Sequence, residues 1–96
     1  MIIHIALFKW RSEVPREAVE AALEEVRALK QKVHGLREIY CGENFSPWAE
    51  GYTTAVVVVA TNRESLDSYR KHPDHKVVAQ RIESMEEKSL GVDFES

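Results

Sequence analysis

Ninety-six residues suffice for one modest hydrophobic core, and 13 Lys and Arg against 16 Asp and Glu leave a net charge of −3. With no basic excess and its cations scattered, the chain is not equipped to neutralise phosphates, which excludes nucleic acid as a partner. The single cysteine, Cys41, excludes an internal disulfide and fits a reducing, cytoplasmic setting.

Ile2–Trp10 reads as a first strand, with Ile3, Ile5 and Leu7 on one face and His4, Ala6, Phe8 and Trp10 on the other. Both faces are mainly apolar, unlike a strand with one wet side. Pro15 opens a helix to about Val33, in which Val19, Ala22, Val26, Leu29 and Val33 recur in steps of three and four. Gly35 is placed to end it. Leu36–Glu43 is a second strand, with Leu36 and Tyr40 on one face, Ile39 and Cys41 on the other, and Gly42 marking a bulge. Asn44–Gly51 is a loop that Trp48 is expected to anchor.

Tyr52–Ala60 is the strongest strand, and its unbroken run Val56–Val59 implies cover on both faces. Thr61, with Glu64 three residues on, forms a capping box for a helix from about Arg63. That helix stops near Lys71, because the residue before Pro73 is pushed out of the helical region. Pro73 suits the first turn of a new helix, where Val78, Ile82 and Met85 continue an apolar stripe. Lys88–Phe94 is the last strand, with Leu90, Val92 and Phe94 on one face, and Glu95 and Ser96 are expected to fray. No apolar run approaches the roughly 20 residues that cross a bilayer, and Met1 leads straight into a strand, so neither membrane nor secretory signal is expected.

The order is β-α-β-β-α-β over a single domain, residues 1–96: an α+β, ferredoxin-like arrangement whose second helix is broken at His72-Pro73. Two helices cover one face of such a sheet. The apolar residues left on the other face predict a homodimer through that open face, with a barrel-like interior lined by His4, Ala6 and Phe8.

The densest chemistry lies around the helix break, where Tyr69, His72 and His75 fall within seven positions. His72 is at the cap, and His75 is in the first turn of the new helix, where the dipole favours neutral imidazole and the adjacent Asp74 works the other way, so no net shift is expected. Tyr69-x-x-His72-Pro73-x-His75, after a valine-rich third strand that begins Gly51-Tyr52, resembles the signature of the stress-responsive A/B barrel (Dabb) domain family. The opening Ile3–Trp10, the Gly42-Glu43-Asn44 turn and the closing Gly91-Val92-Asp93-Phe94 are similar too. The resemblance implies a dimeric α+β barrel. The family includes a polyketide cyclase, olivetolic acid cyclase, whose pattern implies Tyr69 as catalytic tyrosine, His75 as acid/base histidine and His4 as a pocket residue. It assigns His72 to the shared motif as a structural residue. Ala60-Thr61 departs from the pattern, standing where the family often has an aromatic residue, which would alter the pocket floor.

A tyrosine and a histidine on one apolar cavity suit chemistry at a carbonyl: His75 to relay a proton, Tyr69 to hydrogen-bond the oxygen. The plainer reading makes each the other's hydrogen-bond partner in a filled core. His72 and His75 are three apart, but no further Cys or His completes a zinc set, so neither metal nor cofactor is expected. The candidate ligand-lining residues are therefore His4, Phe8, Trp10, Tyr69, His72 and His75. The favoured function is a dimeric barrel binding a small apolar ligand. The alternative is a cofactor-independent enzyme, cyclase-like or monooxygenase-like, with Tyr69 and His75 as acid/base groups.

Overall fold

A computed structural model describes residues 1–96. The elements are β1 (Ile2–Trp10), α1 (Arg16–Lys32), β2 (Leu36–Glu43), β3 (Thr54–Ala60), α2 (Arg63–Lys71), α3 (Pro73–Met85) and β4 (Glu86–Glu95). The strands form one antiparallel sheet in the order β2-β3-β1-β4, the ferredoxin-like arrangement. The third strand is two residues shorter than its apolar pattern implies, and the fourth starts directly at the end of α3.

The helical stripe of α1 buries Val19, Ala22, Leu23, Val26 and Leu29 against the sheet. Pro15 is its N-cap and Val33 its C-cap. Gly35 follows at φ +90°, pressed so closely on Ser65 that a Cβ there would collide with the Ser65 side chain. The cap of α2 is Asn62 rather than Thr61: its Oδ1 accepts the Ser65 N–H at 2.8 Å. Either adjacent side chain has the chemistry for a cap, and the register of the turn selects the second. As expected, α2 ends at Lys71. His72 then serves two helices, as C-cap of α2 and as N-cap of α3, where its Nδ1 accepts the Asp74 N–H at 3.1 Å.

The register settles which face is which. Ile2, Ala6, Phe8 and Trp10 pack with the helix-covered core, alongside Thr54, Val56, Val58 and Ala60 of β3. His4, on the same face, lies beneath α2, so the barrel-interior placement of His4, Ala6 and Phe8 is corrected: they lie under the helices of their own chain. The open face instead carries Ile3, Ile5 and Leu7, flanked by Phe94, Val92 and Leu90 of β4 and by Val59 and Val57 of β3. Alternation could not separate these faces because both are apolar.

Three further expectations are revised. The bulge in β2 falls between Leu36 and Glu38, not at Gly42, and turns Leu36 to the same inner face as Ile39 and Cys41. Trp48 does not anchor its loop; it is 83% exposed, and backbone and Asn44 and Ser46 side-chain hydrogen bonds hold the turn. The carboxyl end is tied down, since the Met1 and Ser96 backbones exchange two hydrogen bonds of 2.9 Å. No helix is long and apolar enough to cross a membrane.

Candidate functional site

The site is built where the helix break meets β1. Tyr69 comes from the last turn of α2 and His75 from the first turn of α3, and His4 rises from the strand beneath. The Tyr69 and His75 rings meet with centroids 4.4 Å apart and planes at 61°, and the His4 ring lies 6.4 Å from Tyr69. All three border one cavity of about 350 Å³, walled by Ala6, Phe8, Val56, Val78 and Ile82. Its floor at β1 is the inner face, and its roof is α3.

Tyr69 is 4% exposed as a residue and lines the cavity; its hydroxyl makes no hydrogen bond within the protein and is not fully enclosed. A phenol in such a place ordinarily takes a hydrogen-bond partner, and here the cavity leaves that position open to water or a ligand oxygen. Burial pushes its pKa up to about 12, with Cys41 adding to the rise and Arg70 opposing it, so the hydroxyl stays a proton donor at neutral pH. His75 has a buried Nδ1 with no partner. Burial drives its pKa below the ordinary histidine value; the Arg70 backbone opposes this, and the charges of His4, Arg70 and His72 reinforce it. The helix dipole and Asp74 pull the imidazole in opposite directions, and desolvation is the chief influence favouring its neutral form.

His4 is held from behind by residues the sequence patterns did not expose. Its register partner on β4 is Asp93, whose Oδ1 lies 2.5 Å from His4 Nδ1. An ionised carboxylate only accepts, so Nδ1 carries a proton and donates it, and Nε2 is the ring position left over. Arg70 donates to the other oxygen of Asp93. Burial alone would raise the Asp93 carboxyl, but the hydrogen bonds from Arg70 and His4, with their charges, outweigh it and hold the group below its ordinary value. Arg70 and Asp93 lie 23 residues apart, so no local spacing could have paired them.

Four of the six expected ligand-lining residues, His4, Phe8, Tyr69 and His75, come together here. The other two do not. Trp10 stacks on Phe8 at 5.2 Å and donates from Nε1 to Thr54 Oγ1 at 2.8 Å, which turns it away towards α1. His72 is spent on capping α3 and points outside the cavity. Ala60, read as part of the pocket floor, is fully buried in the core and borders no part of the cavity.

The sequence matches the stress responsive A/B barrel domain over residues 2–96. Among solved structures, a dimeric ferredoxin-like protein of unknown function from Thermobifida fusca is 28% identical, with a TM-score of 0.87 over 99% of this chain and 90% of that one. A protein of Arabidopsis thaliana superposes with a TM-score of 0.92 at 20% identity, over 100% of this chain and 95% of its own. A hydroxynitrile lyase from Passiflora edulis shares the fold at 15% identity, with a TM-score of 0.88 over 97% and 90% of the two chains. No curated protein matches significantly.

Proposed function

The chain belongs to the stress responsive A/B barrel (Dabb) domain family, and we propose that it acts as a homodimer, one domain per chain, each cavity binding a small apolar molecule that carries a carbonyl or hydroxyl oxygen. The observation that carries this reading is Tyr69: a buried ring on a cavity with mostly apolar walls, whose hydroxyl has no partner in the protein and is still accessible. A ligand oxygen there would satisfy the phenol while the rest of the molecule displaces water from Ala6, Phe8, Val56, Val78 and Ile82. Pairing through the open face is supported by its apolar register and by the dimeric state of the Thermobifida relative. A lone thiol, Cys41, supports a reducing cytoplasmic setting.

The test is direct binding of acetophenone and longer alkyl phenones, followed by calorimetry, to the wild type and to Tyr69→Phe. Loss of one hydrogen bond to a neutral partner should weaken binding by roughly fivefold, about 1 kcal/mol. Equal affinity for the two proteins would remove Tyr69 from the site.

A second reading, favoured by the contact between a neutral imidazole and a phenol, is cofactor-independent acid/base catalysis on the same ligand. His75 would take a proton from the carbon beside a carbonyl while Tyr69 hydrogen-bonds the enolate oxygen; return of that proton at another position completes the step. One protein of this fold is a hydroxynitrile lyase, so the scaffold accommodates an enzyme. Exchange of α-hydrogens of a bound phenone in deuterated buffer, abolished in His75→Gln, would support this reading; exchange no faster than in buffer alone would end it.

A further inference from the structure

The cavity is chemically lopsided. Along β1 it runs from His4 to Phe8, four residues or roughly 13 Å of strand. At the His4 end the groups facing a ligand are Tyr69, His75 and His4, and the charge of Arg70 is already matched by Asp93. At the Phe8 end stand Glu83, from the last turns of α3, and Glu86, at the start of β4. Neither carboxylate is held by an ion pair or hydrogen bond; Arg11 donates to the Glu86 main-chain carbonyl at 3.2 Å, not to its side chain. Glu83 and Ser89 are exposed, so the cavity opens to solvent at this end.

We infer that the cavity selects against anions: its occupant has a neutral, oxygen-bearing head at Tyr69 and an uncharged or cationic group, not a carboxylate or phosphate, at the Glu83–Glu86 mouth. This rests on the small-ligand reading above and narrows it to a substrate class. Tyr69, a buried residue whose hydroxyl has no partner in the protein, identifies the ligand end, and the two unneutralised carboxylates set the charge permitted at the other. A ligand carboxylate some 6 Å from either glutamate would meet repulsion that partly exposed surroundings reduce but do not remove. Arg70, the only Arg or Lys on the lining, is at the wrong end to offset it. Selectivity here therefore comes from a repulsive element as much as from fit.

The experiment uses three compounds with one acetophenone head and a four-carbon para chain, ending in carboxylate, primary amide or ammonium. Affinities are measured by calorimetry at low and high salt for the wild type, Glu83→Gln/Glu86→Gln and Tyr69→Phe. In the wild type at low salt the carboxylate should bind roughly tenfold more weakly than the amide, and the ammonium at least as well as the amide. Salt should shrink the gap, and Glu83→Gln/Glu86→Gln should nearly abolish it. A carboxylate that binds as tightly as the amide, with Tyr69→Phe still weakening both, overturns the selectivity and leaves the binding site standing. Failure of all three compounds to bind overturns the site itself. If the double variant does not fold, the salt dependence in the wild type decides: a gap indifferent to salt overturns the inference.

Discussion

Tyr69 and His75 touch edge to face, with ring centroids 4.4 Å apart, because the chain breaks between them. On a continuous helix, residues six apart differ by about 240° around the axis and could not share one contact. Pro73 forbids continuation, His72 takes an extended conformation at φ −62° and ψ 134°, and α3 restarts in a new direction. The corner is thus the device that brings a phenol and an imidazole over one cavity.

That device has a measurable support. His72 caps α3 through the Asp74 N–H, so His72→Ala should cost about 0.5–2 kcal/mol of stability in urea unfolding. His72→Asn, which keeps a short acceptor at the cap, should recover most of the loss. Ligand affinity should follow stability only weakly, since His72 lies outside the cavity. An alanine variant as stable as the wild type would show that Pro73 alone holds the corner.

The corner, the order of elements and the helical stripes were legible because each depends on residues close in sequence: Pro73 on its predecessor, Val19 on Ala22 and Val26. The choice between Thr61 and Asn62 as cap was not, since both have the needed oxygen and only the turn geometry distinguishes them. The placement of His4 was misread for a different reason. Both faces of β1 are apolar, so hydrophobicity carries no sign for which one the helices cover. The Asp93 carboxylate and Arg70 guanidinium that hold His4 come from β4 and α2, with the whole of α3 between them in sequence, and only the tertiary fold, with Asp93 in register opposite His4, brings them together.

Burial of His75 makes stability depend on pH in a definite direction. Its folded pKa lies below 6.5, so as pH falls the unfolded chain takes up this proton first. Stability from this group is therefore fully present above pH 6.5 and declines as pH drops from there through the lowered folded value. Asp93 adds a second decline further into acid, beginning below pH 3.8, because its folded pKa is also lowered. Urea midpoints measured from pH 8 to pH 4 should fall for the wild type, and the His75→Gln variant should flatten the upper part of that fall. A His75→Gln profile parallel to the wild type would place the titration elsewhere.

The open face makes its own prediction about assembly. Leu90, Val92 and Phe94 are 49%, 41% and 47% exposed in the single chain, beside Leu7, Ile5 and Ile3 respectively. A continuous apolar surface of this kind marks an interface. Val92→Asp would place a carboxylate in each half of a symmetric contact, where two desolvated like charges cost several kcal/mol. Light scattering at about 10 μM should give a dimer for the wild type and a monomer or aggregate for the variant, on the order of a hundredfold loss in association. A dimer that survives Val92→Asp would place the contact on another surface.

Filling the cavity separates its role in binding from its role in folding. Ala6 lies between His4 and Phe8 on the floor, and its register neighbour Gly91 has open space where a side chain would stand. Ala6→Leu therefore extends an isobutyl group into existing volume rather than into packed atoms. If that volume is room for a ligand, the larger side chain buries itself without strain, and unfolding free energy should stay level or rise by about 1 kcal/mol. Affinity for an alkyl phenone should fall at least roughly tenfold, because the same space cannot be occupied twice. The opposite pattern, with stability down by about 1–3 kcal/mol and binding intact, would mean that the floor is already tightly packed and that the ligand sits elsewhere.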